Sequence, residues 1–160
     1  MKERWFILYS WGTTIAWYVF IWFASSITRL DYEGFYANWI INSIGYQLAY
    51  ALLFLLVFRS ILVTLRLKVE RLMYWKSKRE KAEDQEFAKV VELLIMLLTF
   101  SLCIILAIVD EYHQTQVFGR IASIEDLMVA AVGMILAAFS IFAAPIIPEI
   151  EARLAKIGKK

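Results

Sequence analysis

The chain has 160 residues, of which 61% are hydrophobic, with a mean hydropathy of +0.63, two prolines and six glycines; it is too apolar for a water-soluble domain. Its net charge of +2 gives no argument for nucleic acid as a partner, and a single cysteine, Cys103, permits no internal disulfide. An integral membrane protein is the class that remains.

A spanning helix needs about 20 predominantly apolar residues. The first such run, about 5–27, follows Lys2 and Arg4. Its apolar length and Trp5, Trp11, Trp17 and Trp22 are those of an uncleaved first helix rather than of a signal peptide, and it ends in Ser25 and Ser26. A short loop with Arg29, Asp31, Glu33 and Gly34 leads to the second run, about 39–58. The first half of that run carries Asn42, Ser43, Tyr46, Gln47 and Tyr50, whose i, i+3 and i, i+4 spacings predict one polar stripe.

The stretch 59–89 has Leu62, Leu65, Val69, Leu72 and Trp75 at helical spacing among basic residues, which predicts that the second helix continues past the membrane as an amphipathic extension on anionic headgroups. The third run spans about 90–109 and contains Glu92 near its start. Beyond it, 110–126 is a charged island that holds the only histidine and four of the fifteen carboxylates. Asp110, His113 and Gln114 fall within an arc of about 100° at the helical period, with Glu111 at its edge. Asp126 opens the fourth run, about 127–147, where a carboxylate suits the positive end of the helix dipole. Ala130, Ala131, Gly133, Ala137 and Ala138 of that run predict close backbone packing. The tail 148–160 repeats an amphipathic pattern.

Together these readings predict an all-α, four-transmembrane-helix bundle forming a single membrane domain over 1–160. Basic residues set its orientation: fifteen of the seventeen Lys and Arg lie in the N-terminus, the 59–89 stretch and the tail, and only Arg29 and Arg120 lie on the other side. Both termini are therefore expected in the cytoplasm and the 110–126 island outside. All four helices direct polar groups toward the outer leaflet, whereas the inner halves show little comparable polarity apart from Glu92. Ionisable groups in a span are costly and usually functional, so Ser25, Ser26, Tyr46, Gln47, Tyr50, Asp110, Glu111, His113, Gln114, Arg120, Ser123 and Asp126 are expected to line an outward-facing polar pocket. A single histidine makes a zinc site unpersuasive, and no cofactor is expected.

The order Asp110-Glu111-x-His113-Gln114, then Gly119-Arg120, Ser123, Asp126 and Gly133, resembles the VanZ-like family of small bacterial membrane proteins. Ser25-Ser26 is similar to that family's serine pair, and Tyr50-Ala-Leu-Leu to its helix-two signature. The resemblance covers roughly 20–140. The chain departs from the family pattern at Ser43 and Tyr46, where Lys and His are common, at Phe118 in place of proline, and at Ala130 in place of asparagine. The resemblance implies a bacterial cell-envelope role, with some relatives linked to reduced susceptibility to teicoplanin-type glycopeptides.

Three functions compete. The first is binding of an amphipathic ligand at the outer face: a phospholipid, a lipid-linked wall precursor or a lipoglycopeptide antibiotic, with Arg120 holding phosphate or carboxylate. The second is an intramembrane enzyme acting on an outer-leaflet lipid or peptidoglycan intermediate, with Asp110, Glu111 and His113 as acid–base candidates. A transporter or proton path from Glu92 to Asp110 ranks last, because only Thr99, Ser101 and Cys103 lend polarity between them.

Overall fold

A computed structural model describes residues 2–26, 35–73, 83–118, 120 and 122–143. The described residues form four helices: α1 (Lys2–Ser26), α2 (Phe35–Met73), α3 (Glu83–Gln114) and α4 (Ile124–Ala143). Each contains a segment long and apolar enough to span a membrane: Arg4–Ser26, Asn42–Leu65, Val90–Gln114 and Ile124–Ala143. The chain runs up and down, so α1 ends, α2 begins, α3 ends and α4 begins at one end of the bundle, here called the distal end. Residues of the 27–34 loop, the 74–82 connector and the 144–160 tail lie outside the described set, as does the predicted amphipathic tail helix.

The second helix does run on well past its apolar span. At 39 residues and about 1.5 Å per residue it is about 58 Å long, nearly twice the thickness of a hydrocarbon core. It is also the hub: half of its span is buried, against 17%, 22% and 28% for the spans of α1, α3 and α4. Tyr50, Leu53, Phe54 and Phe58 of α2 are fully buried and pack with Ile21, Cys103, Ala107, Met134 and Ile141 from the other three helices. The outward faces carry Leu94, Leu97, Ile105, Ile135 and Phe139, all exposed as suits a surface bathed in lipid.

Lipid supplies no hydrophobic force between helices, so close backbone approach and polar bonds must hold the bundle. One such close approach is between α4 and α2. A methyl group built on Gly133 would collide with the backbone carbonyl of Gln47, whose carbon and Cα would lie 2.9 Å away. The small residues of α4 thus find their partner in this same chain.

At the proximal end a second polar cluster joins α1 to α2. The Ser10 and Ser60 hydroxyls are 3.0 Å apart and those of Thr14 and Ser60 2.8 Å. Thr14 also donates to the Leu56 carbonyl at 3.1 Å, and the Trp11 indole to Thr64 Oγ1 at 3.0 Å. The expectation of sparse polarity in these halves is therefore corrected. Ser and Thr can bond back to the carbonyl four residues earlier, as Thr14 and Thr64 do, so they sit in apolar helices without advertising a partner.

Candidate functional site

The island is not a loop throughout. Asp110, Glu111, His113 and Gln114 are the last turn of α3, which continues beyond its apolar run because its final carbonyls find acceptable donors. Gln116 and Val117 amides donate to the His113 and Gln114 carbonyls, at 2.9 and 3.1 Å, a tight terminal turn that closes the helix. One turn of helix thereby projects two neighbouring carboxylates, an imidazole and an amide into the distal end of the bundle.

Asp110 is fully buried. Its Oδ1 accepts from the Ser25 hydroxyl at 2.6 Å, and its Oδ2 accepts from the hydroxyls of Tyr46 at 2.6 Å and Tyr50 at 3.3 Å and from Gln114 Nε2 at 3.3 Å. Four donors from three helices converge on one carboxylate, which repays much of the cost of burying it. Glu111 shares two of those donors: its Oε1 lies 3.1 Å from the Tyr46 hydroxyl and 3.2 Å from Gln114 Nε2. Tyr46 is the bridge. Its single proton serves the carboxylates while its oxygen accepts from Gln114 Nε2 at 2.8 Å.

The other oxygen of Glu111 reaches α4. Ser123 is the N-cap of that helix: its Oγ accepts from the Glu125 amide at 3.1 Å, and its carbonyl takes the Leu127 amide at 3.4 Å. In a capping box the N-cap amide is satisfied by a carboxylate three residues on, which would be Asp126. Here Glu111 Oε2 accepts it instead, at 3.0 Å. The start of α4 is therefore fixed to the end of α3 through one side chain.

His113 faces α1. Its ring stacks on Trp22 at 3.8 Å between centroids with 20° between planes, and its Nε2 lies 2.8 Å from Ser26 Oγ. Ser26 has one proton and also lies 2.7 Å from the Trp22 carbonyl, which can only accept. Both contacts are satisfied together when Ser26 donates to the carbonyl and Nε2–H donates to Ser26.

Of the twelve expected residues, the structure unites Ser25, Tyr46, Tyr50, Asp110, Glu111, Gln114 and Ser123 in one hydrogen-bonded network and ties His113 to Ser26 beside it. Arg120 and Asp126 are half-buried at the same end. Gln47 serves helix packing instead. It is half-buried, makes no hydrogen bond to the Asp110 network among the described residues, and meets Gly133 through its backbone. Asn42, although counted in the same stripe, is exposed. Trp22 and Tyr18 join the site from outside the expected set. Tyr18 donates to the Leu106 carbonyl at 3.1 Å, and the signal that could have found both is their spacing, since Tyr18, Trp22 and Ser26 recur every four residues.

The cluster is layered. Asp110 and Gln114 are sealed, with 0% and 1% exposure, and Glu111 retains 8%. His113, Arg120, Ser123 and Asp126 are half-buried around them. The inner layer is built to hold, and the outer layer is what another molecule could touch.

No curated protein and no solved structure matches the chain. The family model described as VanZ/LLP1 matches residues 8–145, most of the chain and all four helices in part or whole. With four membrane-length helices bearing the Asp110-Glu111 motif at one end, this chain belongs to the VanZ-like family of membrane proteins.

Proposed function

We propose that this VanZ-like protein sits in the bacterial cell membrane with both termini cytoplasmic, and that its distal cluster binds the polar part of an amphipathic envelope ligand at the outer face. The observation that carries this reading is the division of the cluster into a sealed carboxylate hub and a half-buried outer layer. Four donors fix Asp110, and Glu111 transmits that order to the cap of α4. His113, Ser123 and Asp126 then stand on pre-set helix ends, with Arg120 in the connection between α3 and α4, and preorganised polar groups bind at lower entropic cost. In this reading Arg120 takes phosphate or carboxylate, Asp126 and His113 take hydroxyl or amine groups, and lipid chains stay in the bilayer. A phospholipid, a lipid-linked wall precursor and a lipoglycopeptide of the teicoplanin type share that chemistry, and sequestering one of the last two would alter glycopeptide susceptibility.

The experiment is direct binding to the purified protein in nanodiscs, using labelled lipid-linked wall precursor, labelled teicoplanin and a labelled phospholipid in parallel. One of the three is expected to bind saturably, with affinity reduced about tenfold or more in Arg120→Gln, as for loss of a charge-assisted pair. Equal, non-saturating uptake of all three by wild type and variant would refute the proposal.

A second reading, an intramembrane enzyme on an outer-leaflet lipid or peptidoglycan intermediate, draws support from the His113 tautomer. When Nε2–H donates to Ser26, a neutral His113 presents Nδ1 as a proton acceptor, as a general base requires. The same tautomer argues against Ser26 as a nucleophile, because its proton points to a carbonyl and not to the base. Conversion of any of the labelled ligands by wild type, abolished in His113→Gln, would move the protein into this class.

A further inference from the structure

The α1 span is the least buried of the four. It packs on α2 and α3, and α4 packs on the same two helices, so the seam between α1 and α3 lies on the perimeter of the bundle, toward lipid. On α2 the first helix is fastened along much of its length, by the contacts of Ser10, Trp11 and Thr14 and by the Trp17 indole, which donates to the Ala49 carbonyl at 3.0 Å. On α3 its hydrogen bonds and ring stack gather toward the distal end: Tyr18 to the Leu106 carbonyl, Ser25 to Asp110, and Trp22 and Ser26 to His113.

These contacts form two layers. Ser25 and Asp110 are buried, whereas Trp22, Ser26 and His113 are half-buried, and Phe23, Val109 and Tyr112 beside them are exposed on the lipid-facing surface. The Trp22–His113 stack and the Ser26–His113 bond therefore stand between lipid and the Ser25–Asp110 bond. Trp22 is four residues from the distal end of the span Arg4–Ser26, and His113 one residue from that of Val90–Gln114, so the closure lies at the depth of headgroups and first acyl carbons. Ser25 and Ser26 are consecutive in one helical turn. A displacement of the end of α1 that parts Ser26 from His113 thus also parts Ser25 from Asp110.

We propose that the α1–α3 seam is a lateral gate, opened by movement of the end of α1 at Trp22 and His113, through which the polar part of a lipid-borne ligand reaches Asp110 from the adjoining leaflet instead of from water. The ligand presents a hydroxyl or amine, because such a donor replaces the Ser25 hydroxyl on Asp110 Oδ1 and keeps the buried carboxylate satisfied. The identity of the ligand rests on the binding reading above; the gate itself opens with no ligand present.

Carbodiimide labelling of the full-length protein in nanodiscs, without ligand, tests the gate: dicyclohexylcarbodiimide reaches carboxyl groups from lipid, and a water-soluble cationic carbodiimide reaches them from water. Adducts at Asp110 are located by tandem mass spectrometry. Wild type is expected to react slowly with the lipid-soluble reagent and more slowly still with the water-soluble one. Trp22→Ala should raise the lipid-side rate roughly tenfold, the scale of one aromatic stack, and Ser26→Ala about threefold or more, the scale of one hydrogen bond. Phe23→Ala, on the lipid-facing surface, should leave it unchanged. If Trp22→Ala loosens the whole bundle, seen as N-ethylmaleimide reaching the buried Cys103, Ser26→Ala decides alone. Lipid-side rates that neither substitution raises, no adduct at Asp110 in any form, or labelling from water as fast as from lipid would each overturn the gate. A failure of the ligands to bind would leave this labelling as it is, so the two readings fail separately.

Discussion

Asp110 takes donors from Ser25 on α1, Tyr46 and Tyr50 on α2 and Gln114 on α3, two of them at 2.6 Å. Replacing it with Asn keeps the size but substitutes an amide, with protons of its own, for one acceptor oxygen at a point where donors already converge. Each buried donor left unsatisfied costs about 1–3 kcal/mol. Asp110→Asn should therefore lower the thermal unfolding temperature of the purified protein clearly, and by more than Asp126→Asn in the half-buried outer layer. The two tyrosines should separate in the same assay. Tyr46→Phe removes a 2.6 Å donor to Asp110 and the acceptor of Gln114 Nε2, so it should cost about 1–3 kcal/mol. Tyr50→Phe removes one 3.3 Å bond and should cost less than about 1 kcal/mol. Equal losses would mean that the bridge assigned to Tyr46 is incorrect. The convergence of Asp110, Tyr46 and Ser25 was legible in the sequence, since polar side chains at helical spacing inside apolar runs must meet something. The reach of Glu111 to the Ser123 amide was not, because a backbone donor carries no residue signature.

Among elements, α2 and α4 depend on the absence of a side chain at Gly133 and α1 and α2 on hydroxyl contacts at the proximal end. Gly133→Ala places a methyl against the Gln47 backbone, which has no flexible end to move aside, so the helices must separate. A loss of about 1–3 kcal/mol is expected, as for overpacking elsewhere, read as a drop in unfolding temperature; a neutral outcome would show that α4 is free to shift. The run of small residues in α4 announced close packing, yet its partner could not be read from spacing, because contact with the Gln47 backbone depends on how α2 lies across α4. The α1–α2 cluster was hidden for a related reason: Ser10, Thr14, Ser60 and Thr64 are ordinary residues in apolar helices, and their meeting requires the register of two helices as well as the pattern of each. The length of α2 was easier, since its amphipathic period simply continues beyond the apolar run.

At the scale of the whole molecule, the four membrane-length helices were legible from hydropathy alone, and the uneven distribution of Lys and Arg predicts which end faces out. Phe118, between α3 and α4, is 98% exposed, while the only native cysteine, Cys103, is fully buried. Phe118→Cys should accordingly be labelled on intact cells by a membrane-impermeant maleimide, with wild type as a silent control; labelling only after permeabilisation would invert the assigned orientation. With that orientation, the sealed hub holds an outer layer of His113, Arg120, Ser123 and Asp126 in contact with the envelope. The most direct measurement of the central claim is the saturable binding of labelled phospholipid, lipid-linked wall precursor and teicoplanin, each offered separately, to wild type and Asp126→Asn in nanodiscs. The distal site predicts that wild type binds one of the three saturably and that Asp126→Asn loses most of that binding while remaining folded. Equal, non-saturating uptake of all three by wild type and variant would contradict it.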